Sequence, residues 1–145
     1  MILAEGKGCL LPDSVQNTVD WTAFAQARRD LGDGFVRLFG YFREDGAKAI
    51  AAIEGAVRQG QAAPIVLPAH KLKSEAREFG AVALAALAED IELSARDCVE
   101  WRQNPADLVE QVVALRPLYE ATVQAIDEAT NPLKSRRPAF GAASR

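Results

Sequence analysis

Apolar positions recur at helical spacing along most of the chain. After Asp20, a good N-cap, Trp21, Phe24 and Ala25 fall on one side together with the methylenes of Arg28, which predicts a short helix from Trp21 to about Leu31. Gly32-Asp33-Gly34 ends it and turns the chain, and Asp33 is placed to cap the next helix. Phe35, Leu38, Phe39 and Phe42, resumed by Ala49, Ile50, Ile53 and Val57, predict a second helix from about Phe35 to Arg58, weakened and bent at Gly46. Gly60 to Ala63 break the pattern. A third stripe, Ala69, Leu72, Ala76 and Phe79, belongs to a helix that starts near Pro64 and closes at Gly80-Ala81. Pro68 either kinks this helix or marks its true first turn, with an irregular segment before it. The fourth helix, about Val82 to Trp101, turns Leu84, Leu87, Ala88, Ile91, Ala95 and Cys98 inward. The fifth starts at Asn104-Pro105 and carries Leu108, Val112, Leu115, Tyr119, Thr122 and Ile126, with a kink predicted at Pro117.

Four long amphipathic helices on short loops can hide their stripes only against one another. The predicted fold is all-α, an up-down-up-down four-helix bundle with the Trp21 helix as a short N-terminal cap. Residues 1–19 read as a loose lead-in, 20–130 as the bundle and 131–145 as a disordered basic tail. Inward-facing stripes leave no spare apolar face, so a monomer is expected.

Composition narrows the function. A chain of 145 residues supports one core. Its net charge of −3 argues against a nucleic-acid partner, and the tail cations Lys134, Arg136 and Arg137 read as solubilising. No apolar run is long enough for a membrane span, and Glu5 and Lys7 interrupt the apolar start of the chain, which makes it a poor signal peptide. Cys9 and Cys98 lack metal-ligand spacing and suggest free thiols in a reducing compartment, so a cytoplasmic location is expected. One histidine without a partnered ligand set argues against a metal or haem bundle.

That sole histidine, His70, lies roughly 140° from the centre of the third stripe and so points away from the core. On its side of the helix stand Lys73, Ser74 and Arg77, with Val66 and Leu67 a turn upstream. Alone, such a histidine is most often an inert surface residue. A neutral imidazole nitrogen is nevertheless a competent nucleophile, and the two cations suit a phosphoryl group. The chain has no Walker loop, no kinase-type glycine loop and no acidic cluster suited to Mg²⁺, so it is not expected to use ATP.

The segment His70-Lys71-Leu72-Lys73-Ser74 through Phe79-Gly80-Ala81, within this order of helices and with Ile91-Glu92 in the fourth, resembles the histidine-containing phosphotransfer (HPt) family from about Asp20 to Ala129. The resemblance implies a stoichiometric phosphocarrier, not an enzyme, in a multistep two-component phosphorelay. His70 matches the phosphorylated histidine and Lys73 the lysine flanking the phosphoryl group. Ser74 stands where the family has a glycine that keeps the surface low for a partner. Implied partners are response-regulator receiver domains or a hybrid histidine kinase, docking on Val66, Leu67, Ser74 and Arg77. No cofactor is implied for this chain; the Mg²⁺ and the acceptor aspartate belong to the receiver. The rival reading is a scaffolding bundle that binds receivers without transfer, favoured by serine at position 74.

Overall fold

The structure is a computed structural model in which residues 18–131 are described. Those residues form helices and turns with no strand. The α-helices are α1, Trp21–Leu31; α2, Phe35–Arg58; α3, Ala63–Glu78; α4, Val82–Glu100; and α5, Val109–Thr130. Gly32–Gly34 and Pro105–Leu108 are 3-10 turns. Helix α2 packs on α3, α3 on α4, α4 on α5 and α5 back on α2, with α3 against α4 the most extensive seam.

Local chemistry accounts for most boundaries. The Asp20 carboxylate accepts from the backbone N–H groups of Thr22 and Ala23, both at 3.1 Å, and starts α1. Asp33 does not cap α2. It lies inside the 3-10 turn, and Gly34 takes the N-cap position without a side-chain bond. Helix α3 runs through Pro68 without a break, so its first turn is at Pro64 and not at Pro68. Helix α5 likewise continues through Pro117. It begins later than the sequence suggests, because Pro105–Leu108 adopts the tighter 3-10 winding first.

The turn after α3 fixes the first helix as well. Gly80 has φ +73° and its N–H bonds the Arg77 carbonyl, while the Ala81 N–H reaches back to Ala76 at 2.9 Å. This paired closure needs a left-handed residue, which glycine supplies at least cost. The Gly80 carbonyl accepts from Asp20 N–H at 2.8 Å, and a Cβ at position 80 would lie 2.8 Å from the Asp20 carbonyl oxygen and 2.9 Å from the Phe24 nitrogen. The start of α1 therefore rests on the α3–α4 turn. Thr18 and Val19 are buried there too, so the packed unit begins two residues inside the stretch predicted as a loose lead-in.

Phenylalanines weld the elements together. Phe35 meets Phe24 of α1 edge-on at 5.5 Å and Phe79 at 5.6 Å, and Phe42 meets Phe79 at 5.3 Å and Tyr119 at 5.9 Å. Trp21 and Leu38, predicted inside, are both exposed. Trp21 lays only an edge contact on Phe24, and Phe35, Phe39 and Phe42 already fill the face of α2 that Leu38 flanks. Leu87 and Val57 are half-buried at the core margin. Helix α2 continues through Gly46, which is buried where Tyr119 crosses, and a Cβ there would sit 2.5 Å from the ring. The Tyr119 hydroxyl donates to the Arg43 carbonyl, and Arg116 grips Glu54 through two bonds of 2.8 and 3.1 Å. Both contacts tie α5 to α2. Cys98 is buried, with its thiol directed at the Asn104 carbonyl; burial, aided by Asp107 and Asp97, raises its pKa and keeps it protonated. Cys9, the tail cations and the predicted disorder of residues 132–145 lie outside the described residues. Among the described residues no helix is long and apolar enough to cross a membrane.

Candidate functional site

Helix α3 buries Ile65, Ala69, Leu72 and Ala76 completely, and this register decides where its polar residues go. His70 emerges at the edge of the α3–α4 seam with its side chain half exposed. On the facing edge, α4 buries Leu84, Ala88, Ile91, Ala95 and Cys98, and Glu92 falls within that inward stripe. Its carboxylate, only 4% exposed, is the centre of the site.

Glu92 gathers three partners. His70 Nδ1 lies 3.0 Å from Oε2, the Arg96 Nε and Nη2 lie 3.1 and 2.8 Å from the same oxygen, and Lys73 Nζ lies 2.8 Å from Oε1. Burial alone would raise the carboxyl pKa. The close ion pair with Lys73 and the hydrogen bonds from Arg96 and His70 outweigh it and bring the pKa down to about 2. Glu92 is thus ionised at neutral pH, and an ionised carboxylate can only accept. The imidazole nitrogen facing it must therefore donate. In the neutral ring that assigns the proton to Nδ1 and leaves the lone pair on Nε2, for which no described residue is a partner. The seam presents a half-exposed nucleophilic nitrogen whose ring is oriented from behind by a buried anion.

The predicted site residues divide accordingly. His70 and Lys73 come together, through Glu92. Lys73 is not the exposed cation that the sequence suggests: it is 13% exposed and held on the carboxylate. Its charge offsets that of the buried Glu92. Arg77 is drawn away from His70 to Glu89 of α4, at 3.4 Å, and lies two helical turns along α3, about 10 Å. Ser74 is exposed one turn beyond the histidine. Leu67 is 75% exposed, whereas Val66 is half-buried and packed against the core. Lys71, next to His70 in sequence, faces α2 and pairs with Asp45 at 3.4 Å.

Glu92 and Arg96 were missed as functional residues, although Glu92 had left a signal. It follows Ala88 by four and precedes Ala95 by three, so it lies on the buried stripe of α4. A carboxylate at such a position is almost never buried without partners. Arg96, four residues on, is the first candidate for one.

A family model described as the Hpt domain matches residues 37–129, most of the chain, and takes in the whole α3–α4 seam. The chain belongs to the Hpt domain family. Membership implies histidine phosphotransfer in phosphorelay signalling, with receiver domains or histidine kinases as the interacting proteins. No curated protein and no solved structure matches the chain significantly. The Hpt match begins within α2, so α1 and Asp20 lie outside it, while Gly80, which Asp20 contacts, lies inside.

Proposed function

We propose that this Hpt domain is a phosphocarrier in which His70 Nε2 takes a phosphoryl group from the aspartyl phosphate of one receiver domain and returns it to the aspartate of another. The observation that carries this reading is the Nδ1 contact of His70 with the buried, ionised Glu92, which leaves the lone pair on the half-exposed side of the ring. In the forward step Nε2 attacks phosphorus, the P–O bond of the acyl phosphate breaks, and the carboxylate leaves with the bonding pair. No proton has to leave the ring. Nδ1 keeps its hydrogen, and the positive charge that the ring gains lies against Glu92. Metal-assisted chemistry is assigned to the receiver, which brings Mg²⁺; this chain needs no cofactor of its own and has no ATP-directed machinery.

Ser74 and Leu67 form the part of the surface on which the receiver docks, and serine is small enough to leave that approach open. Opposed pairings support the up-down-up-down arrangement: His70 with Glu92 and Arg77 with Glu89 on one seam, Gly46 with Tyr119 and Glu54 with Arg116 on the other. The domain works as a monomer in the cytoplasm, with α1 capping the bundle. The test is incubation with phosphorylated receiver domains, with label traced by its acid lability and base stability. Wild type should acquire that label and His70→Gln should not, while still binding the receiver by calorimetry. Receiver binding without any labelling of the wild type would favour the scaffolding alternative instead.

A further inference from the structure

Glu92 is one negative charge held by two permanent cations. Lys73 alone suffices to balance it, and Lys73 is enclosed in the seam with its ammonium 2.8 Å from Oε1. Arg96 is surplus. Its side chain is 55% exposed, it binds the same Oε2 that holds His70 Nδ1, and only Nε and Nη2 are engaged there. The nearby alternatives are committed elsewhere, Lys71 to Asp45 and Arg77 to Glu89. When Nε2 is phosphorylated, the site gains a group carrying about two negative charges at neutral pH. The ring itself then carries a positive charge and takes over part of what Arg96 supplied to Oε2. A guanidinium matches a phosphoryl group in geometry and can bond it through two N–H groups.

Resting on the His70 reading, we infer that Arg96, and not Lys73, is the cation that turns to the phosphoryl group on His70, while Lys73 stays behind as the fixed counter-charge of Glu92. Arg96 is then a catalytic residue, because it touches the transferring group, and Lys73 is a positioning residue. Phosphoramidate, a small phosphoryl donor, separates this from receiver docking. As its N-protonated form it transfers phosphorus to Nε2, the P–N bond breaks, and ammonia leaves with the protons it already carries.

The full chain would be labelled with phosphoramidate, the excess donor removed, and the lifetime of the phosphohistidine followed by phosphorus NMR. Arg96→Gln is expected to slow labelling about tenfold and to shorten the phosphohistidine lifetime by a similar factor, with the melt almost unchanged. Arg96→Lys should recover part of both. The phosphorus resonance of the folded wild type should differ from that of Arg96→Gln, and the difference should vanish in denaturant. Labelling rate, lifetime and resonance all unchanged in Arg96→Gln would overturn the inference. So would a Lys73→Met variant that stays folded yet loses more labelling than Arg96→Gln. Failure of the wild type to label, or labelling that survives in His70→Gln, would instead remove the His70 reading beneath it, and the two failures are distinct.

Discussion

A single carboxylate orients the ring of the histidine. Glu92 holds a pKa of about 2 against an ordinary value of 4.5, so it stabilises the fold most above pH 4.5, and that stability is lost as pH falls through about 2. The shift corresponds to about 3 kcal/mol. Urea midpoints of wild type and Glu92→Gln, measured from pH 7 to pH 2, should therefore lie well apart at neutral pH and converge at the acid end. A gap independent of pH would deny Glu92 its ionised role. Lys73→Ala is expected to cost about 3 kcal/mol, since it strands a buried charge, and a melt within error of wild type would show that Arg96 neutralises Glu92 unaided. At this scale the sequence was only half readable. The outward register of His70 follows from helical spacing within α3, and the structure agrees. The burial of Lys73 depends on a residue nineteen positions away, on another helix, and no periodicity within α3 contains it.

Helix boundaries were legible where the signal is local. Asp20 before α1 and Gly80 after α3 act through their own backbone neighbours, and both terminate helices as expected. The prolines were harder to read because their effect depends on what surrounds the helix. Pro68 and Pro117 sit in continuous helices whose buried faces are held by their neighbours, and packing outweighs the lost hydrogen bond. Gly46 was read as a weak point, yet its lack of a side chain is what admits Tyr119. Gly80 carries two requirements at once, a positive φ and the close approach of α1. Gly80→Ala should consequently destabilise by about 2 kcal/mol or more in chemical denaturation. A neutral result would mean that α1 can lift off its turn at no cost.

The molecule as a whole extends beyond the stretch that the Hpt family defines. Phe24 is 4% exposed and stacks edge-on with Phe35, so α1 shares the core of the bundle. Phe24→Ala is expected to cost about 3 kcal/mol and to lower a single cooperative melt, read by circular dichroism. Two separate transitions would make α1 an independent appendage. The four-residue cluster at His70 draws on α3 and α4 alone, whereas Glu54, Arg116, Gly46 and Tyr119 lock the opposite pair. The chemistry and the scaffold that braces it are therefore separable. The outer faces of α2 and α5 can drift, acquire new charge or new neighbours, and leave every atom of the cluster where it stands. Conversely, two facing helices and four side chains are the smallest portable unit of this site, a unit that could be transplanted to any bundle with the same seam.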